Sequence, residues 1–438
     1  MITKKLPLFT FVFLFILKNF SQSLYFPPTS GNNWDTLTPL SLNWCPTKID
    51  SLYNYLDSNN SNSFILLKDG KIVLEKYFGT HTANSPWYWA SAGKTITAFM
   101  TGIAQQEGYL SIQDTTSNYL GNGWTSCLPT KENKITIRNQ LTMTSGLDDG
   151  VIDNDCTLDT CLIYKSDAGT RWAYHNAPYT LLDSVIESAT GITLNNYTTQ
   201  KLKTPTGMTG MFYSSGYNNV FFSNSRSMAR FGLLTLNKGN WNGNQIMTDS
   251  VYFHDMTHTS QNLNRGYGYL WWLNGSTSFM VPQLQTVFPG QIYPNAPTDM
   301  ITGVGTDAQC LIVVPSQNLV WIRMGNAPAN GVNPFQFIDK IWQYINDFNC
   351  NSNVGFVNAS ATIQLKVYPN PVADQLNIET NETISNVELI DVLGRKTNIS
   401  DMQLVSKQIP TDHIEKGIYL LKIYLKSGKS VTKTIYKL

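Results

Sequence analysis

Strand-type sequence at both ends of one long segment, with helix-type sequence between, most limits the folds open to this chain. Residues Ser63 to Phe78 alternate apolar and polar side chains around the turn pair Asp69-Gly70, which predicts a β-hairpin. Far downstream, Leu311 to Val314 and Val320 to Met324 are β-rich runs joined by Pro315-Ser316-Gln317-Asn318, a second hairpin. Helical patterns run over 46–56, 91–107, 180–189, 226–237 and 335–348. Another leads from Ile135 into Thr142-Met143-Thr144-Ser145-Gly146-Leu147, where the glycine predicts the helix stop. Hairpins from opposite ends that share one core predict a single antiparallel sheet covered by helices, an α/β (α+β) architecture.

The flanks read differently. Lys4 and Lys5 precede an apolar run from Leu6 to Leu17, and Ser21-Gln22-Ser23 supplies small residues at a cleavage position. Residues 1–23 therefore predict a secretory signal, with a retained anchor as the competing reading. Residues 24–350 form the main domain and 351–362 a small-residue linker. From 363 to 438, short β-type runs separated by turn residues predict a small all-β, sandwich-like module. A net charge of +1, with no long basic run and no aromatics interleaved with Arg or Lys, excludes a nucleic-acid partner.

Export permits disulfides among the six cysteines. Cys156 and Cys161 flank a tight loop and form the best pair. Cys45 and Cys350 meet if their adjoining helices pack antiparallel, and Cys127 with Cys310 is the remaining combination. The spacings fit no zinc template.

Three segments carry candidate chemistry. In Trp87 to Met100, Ser91 and Lys94 lie three residues apart at the head of a helix, so an amine faces a hydroxyl. A desolvated lysine activates serine as a nucleophile, and a helix N-terminus favours the oxyanion that follows. A helix N-cap is the competing reading of Ser91. Tyr174, with Asn176 two residues on, sits between a loop and an apolar helix, and a lysine ammonium beside its phenol predicts a lowered pKa. Its alternative is a buried, satisfied aromatic. Third, Thr306-Asp307-Ala308-Gln309 leads into Cys310 to Val314, read as an edge strand offering a backbone N–H to the substrate. His254 and His258 have helical spacing without a zincin glutamate and read as surface or capping residues. The tryptophans 87, 89, 172, 271 and 272 are read as a cleft wall or as core.

In order, Trp-Ala-Ser91-Ala-Gly-Lys94, Leu-Thr-Met-Thr-Ser-Gly-Leu147, Gly-Thr-Arg-Trp-Ala-Tyr174-His-Asn176 and Gly-Thr-Asp-Ala-Gln309 resemble the β-lactamase and penicillin-binding-protein superfamily, especially its class C-like, esterase-containing branch. The resemblance spans about 42–348 and implies an added all-helical subdomain. It implies an acylated Ser91, Lys94 as proton acceptor, Tyr174 as acid or base, and Asn176 positioning lysine and substrate. The backbone N–H groups of Ser91 and Gln309 would form the oxyanion hole, with Thr306, Asp307 and Ala308 at the substrate. No metal or cofactor is implied. The family's Lys-Thr-Gly appears here as Thr306-Asp307-Ala308, which removes a carboxylate-binding cation and weakens the expectation of β-lactamase or D,D-peptidase activity.

The tail resembles type IX secretion sorting domains of Bacteroidetes through Val367-Tyr-Pro-Asn-Pro-Val372, Leu376-Asn-Ile378, Val392-Leu-Gly-Arg395 and Gly417-Ile-Tyr-Leu420. It implies a secretion-machinery partner for residues 363–438 and a secreted or cell-surface location, with no transmembrane helix in the mature chain. Together these readings predict a secreted serine hydrolase of a small ester, amide or peptide. The alternative is a non-catalytic peptidoglycan- or peptide-binding surface protein.

Overall fold

A computed structural model describes residues 24–350, 365–391, 396–398, 407–426 and 430–437. The expected signal at 1–23, the linker at 351–362 and the Val392 to Arg395 motif lie outside the described residues. The chain divides into two compact units, 1–350 and 351–438.

In chain order the first unit contains α1 (Pro46–Ser58), β1 (Ser61–Lys68), β2 (Lys71–Tyr77), β3 (Trp87–Tyr88), α2 (Lys94–Gln106), α3 (Ile137–Leu141) and α4 (Asn176–Thr190). It continues through β4 (Met211–Ser215), β5 (Asn218–Ser223), α5 (Ser225–Leu236), α6 (Ser250–Thr257), β6 (Trp272–Leu273), β7 (Ile301–Val304), β8 (Cys310–Val314), β9 (Leu319–Gly325) and α7 (Pro334–Asn346). The central sheet runs β2-β1-β9-β8-β7-β6, so the two predicted hairpins meet where β1 pairs antiparallel with β9, Ile65 opposite Ile322. Because β1, β8 and β9 are buried almost throughout, their apolar side chains anchor helices on both faces.

Several expectations need correction. β8 is not an edge strand; it lies between β9 and β7. The sequence reading missed β7, which pairs with β8 and lies beyond it, because four residues with a glycine among them give little periodicity. The β3-β5-β4 sheet was missed as well. α3 ends at Leu141, well before Gly146. That glycine instead admits a crossing chain: a Cβ there would stand 2.3 Å from the Ser166 carbonyl oxygen.

Cys45 bonds Cys350, and Cys156 bonds Cys161. The first bridge is supported by Cys45 N–H donating to the Phe348 carbonyl and Cys350 N–H to that of Asn43, each at 2.7 Å. Tyr55 of α1 packs on Phe337 and Tyr344 of α7 beside it. Cys127 and Cys310 are not bonded to each other; both are free.

The second unit forms two small sheets from β10 (Leu365–Tyr368), β11 (Gln375–Thr380), β12 (Ile384–Asp391), β13 (Lys396–Asn398), β14 (Gln408–Pro410), β15 (Gly417–Leu425) and β16 (Ser430–Lys437). Their orders are β10-β11-β14 and β13-β12-β15-β16. Val372, Leu376, Val387, Leu421 and Ile423 share its core. Asn370 joins first strand to last: its amide donates to the Thr434 carbonyl and its oxygen accepts from Tyr436 N–H. Among the described residues no helix is long and apolar enough to cross a membrane.

The Cys45–Cys350 bridge closes a loop spanning 305 positions. Replacing both cysteines with alanine is expected to lower stability by roughly 2–5 kcal/mol. Thermal unfolding of the double variant without reductant measures it.

Candidate active site

The site begins where β3 enters the turn before α2. Trp89 is fixed by its N–H to the Phe221 carbonyl and its indole N–H to Ser223 Oγ, both at 2.8 Å. Ala90 then adopts a left-handed φ of 46°, unusual for a residue with a side chain. A 3-10 turn over Ala90–Gly93 follows and joins α2 at Lys94. This geometry brings Lys94 Nζ to 2.8 Å from Ser91 Oγ.

Ser91 opens onto a cleft of about 760 Å³, whereas Lys94 is buried beneath it, 3% exposed. Its amine stands 3.9 Å from the ring centre of Tyr179 and 5.1 Å from that of Tyr174. Loss of water pulls its pKa down to about 7, opposed by the charges of Asp155 and Asp183. The amine is therefore poised to accept a proton near neutrality.

Tyr174 stacks on Trp272, ring centres 5.7 Å apart. Its phenol is not lowered as expected. Burial pushes it up to about 12, and the one contact acting the other way is the Ser91 hydroxyl. The reason is that an amine losing its own charge gives a phenolate little support. Tyr174 thus keeps its phenolic proton, and Lys94 is the group whose pKa falls toward neutrality.

Asn176 is the first residue of α4, and Asn154 of the cysteine loop caps that helix. The Asn154 carbonyl accepts from Ala177 N–H and its side chain from Asn176 N–H. Asn176 Nδ2 donates to Asp155 Oδ1 at 2.7 Å, while Oδ1 is buried without a partner. No hydrogen bond joins Asn176 to Lys94 among the described residues, so the expected lysine-positioning contact is absent. His175 is buried with neither ring nitrogen paired, and burial pulls its pKa to about 4, so it stays neutral.

The third expected element is rearranged. Thr306 lines the cleft, but Asp307, Ala308 and Gln309 do not. Asp307 accepts a hydrogen bond from the Tyr88 hydroxyl, and buried Arg323 donates to the carbonyls of Asp307 and Ala308. The Asp307 carboxylate is therefore held away from the substrate side. Gln309 is buried behind the turn, its side chain bonded to Gly325 and its N–H directed 3.4 Å to the Thr306 carbonyl.

β7, rather than Gln309, runs beside the turn that carries Ser91. Gly305 lies against the nucleophile turn so closely that a Cβ would stand 2.5 Å from the Trp89 oxygen and 2.9 Å from Ser91 N. Its N–H donates to the Gln309 carbonyl at 2.8 Å. By strand alternation, Val304 N–H faces the opposite way, beyond Thr302, where pairing with β6 ends. Val304 lines the cleft with Ser91. The β-branched residues Ile301, Thr302 and Val304 before Gly305 were the sequence signal for this strand.

Of the five tryptophans, Trp272 alone lines the cleft; Trp89, Trp172 and Trp271 are core and Trp87 is half-buried. His254 and His258 stack on each other at the surface, ring centres 3.9 Å apart. No cluster of three or more metal-ligating side chains occurs among the described residues.

Burying Lys94 makes folding pH-dependent. Below about pH 7 the folded state holds a charged, desolvated amine; between there and the ordinary lysine value near 10.5, only the unfolded chain binds the proton. The cost is largest below pH 7 and fades toward pH 10.5. Lys94→Met should therefore stabilise the fold, by on the order of 1 kcal/mol or more at pH 6, with the gain shrinking toward pH 10. Urea unfolding across that range measures it.

Residues 60–336 match the family described as Beta-lactamase, and residues 366–437 match the secretion system C-terminal sorting domain. An uncharacterized protein of Alkalihalophilus pseudofirmus is 24% identical over 311 residues, 62% of this chain and 85% of that one. Among solved structures, a penicillin-binding protein homologue from Pyrococcus abyssi is similar with a TM-score of 0.54 at 15% identity, covering 89% of this chain and 95% of its own. EstCE1, a hydrolase with promiscuous acyltransferase activity, is similar with a TM-score of 0.52 at 11% identity, covering 68% and 97%. The sorting domain marks the protein as secreted or displayed at the cell surface and implies contact with secretion machinery. With the match spanning more than half its length, the chain belongs to the β-lactamase family of serine hydrolases.

Proposed function

We propose that this protein cleaves an ester or amide bond through an acyl-enzyme on Ser91, without a metal or cofactor taking part. The observation that carries the reading is the 2.8 Å contact between Ser91 Oγ and a buried Lys94 amine whose pKa lies near 7. Lys94 accepts the Ser91 hydroxyl proton as Oγ bonds the substrate carbonyl carbon. The resulting oxyanion is held by the N–H groups of Ser91 and Val304, the latter replacing Gln309. As the tetrahedral intermediate collapses, the leaving group takes the Tyr174 phenolic proton, and the Lys94 ammonium restores it. Water then attacks the acyl carbon, its proton passing to Lys94 and the Ser91 oxygen regaining one on release. Thr306 lies along the substrate, and Asn176, tied to Asp155, forms part of the cleft wall.

Export by the sorting tail sets the substrate outside the cell. Asp307 bonds Tyr88, and its carboxylate lies outside the cleft lining.

A fluorophosphonate probe should label wild-type protein at Ser91 and fail on Ser91→Ala, read by intact mass and peptide mapping. Ligand affinity with no labelling of the wild type would replace this reading with a binding protein. Lys94→Ala and Tyr174→Phe should each lower kcat about 10²–10⁴-fold while circular dichroism stays native. Because Lys94 must be neutral to act and Tyr174 stays protonated to about pH 12, kcat/KM should climb through pH 7 and stay level over the next several units. A pH–rate profile with an ester whose own ionisation is silent measures this.

A further inference from the structure

The charges lining the cleft are unevenly paired. Arg171 bonds Asp149 at 2.7 Å, and Lys165 stands 3.4 Å from Asp148. Both lining cations thereby face a carboxylate, while Arg171 Nη1 stays buried without a hydrogen-bond partner. Asp155 remains: its carboxylate accepts one hydrogen bond among the described residues, from Asn176 Nδ2. Since a carboxylate only accepts, this contact fixes the Asn176 amide with Nδ2 toward Asp155. The amide oxygen is left as a buried acceptor with no donor, on a residue that lines the cleft.

The opposite walls sharpen the requirement. β7 and the residue after it contribute Val304 and Gly305 rather than a cation, and Trp272 presents an aromatic surface stacked with Tyr174 and packed edge-on against Phe335. A cleft with a carboxylate that makes no ion pair among the described residues and an aromatic wall matches a group that carries positive charge and several N–H donors.

We propose that the substrate is an ester or amide whose acyl portion bears a protonated amine, with Asp155 as its counter-ion and Trp272 as the aromatic wall beside it. This rests on the hydrolase reading above and adds the substrate class. The same charge balance disfavours acyl groups that carry a carboxylate.

The test uses three methyl esters of similar acyl length, those of β-alanine, butyric acid and succinic acid (as the monoester), which end in ammonium, methyl and carboxylate. Wild-type full-length protein at low ionic strength should hydrolyse the ammonium ester with kcat/KM about tenfold above the neutral ester, and the carboxylate ester slowest. In Asp155→Asn the ammonium-to-neutral ratio should fall to within about twofold of unity. Asp155→Ala repeats the measurement should the asparagine variant fold poorly. The ratio is the informative quantity because all three esters share Lys94, so any change in its basicity cancels. Equal or reversed preference in the wild type overturns the proposal, as does a preference that survives both substitutions. If Ser91 takes a fluorophosphonate and the three esters react alike or not at all, the hydrolase reading stands and the ammonium assignment falls. If Ser91 takes no probe, both fall together.

Discussion

The lysine amine held dry under the Ser91 hydroxyl is the constraint on which the rest of the first unit depends. It requires a turn that lifts serine toward solvent while sinking the residue three positions later, and Ala90 in a left-handed conformation supplies that turn. It also requires a lid over the amine, which Tyr174 and Tyr179 provide from the start of α4. Desolvation then does what local sequence cannot: it lowers a lysine to the neutral range and raises a phenol to about 12. Both shifts follow from burial rather than from the two groups' proximity.

The sheet exists in this arrangement because both chain ends contribute strands to it. β1 and β9 bring the termini of the unit together, and the Cys45–Cys350 bridge ties off the same region. Arg323, on β9, carries that order into the site: buried, it donates to carbonyls of the loop before β1 and of the 306–308 turn. The turn in turn fixes Asp307 on Tyr88 and leaves Gly305 pressed against the backbone at Ser91. Core and cleft therefore share one hydrogen-bonded framework.

Asp155 connects the cysteine loop to the chemistry. The Cys156–Cys161 bridge follows it directly, Asn154 caps α4, and Asp155 holds the amide of Asn176. A short covalently closed loop thus sets the orientation of a cleft side chain that a helix alone would leave free to flip. The result is a wall rich in acceptors, and its electrostatic character comes from the loop as much as from the family framework.

The sequence alone determined what local pattern and composition can carry: the two hairpins, the principal helices, the small β tail, the Cys156–Cys161 pairing and the facing of Ser91 by Lys94 across one turn. These are short-range properties, written in alternation, turn residues and i to i+3 spacing. Tertiary structure alone decided that β7 flanks Ser91 while β8 does not, that Asp307 turns away, that Asn176 contacts Asp155 and that the amine's pKa falls while the phenol's rises. Each depends on which segments, distant along the chain, exclude water from one another. A four-residue strand has too little periodicity to announce itself, and the burial that shifts a pKa comes from residues tens to hundreds of positions away.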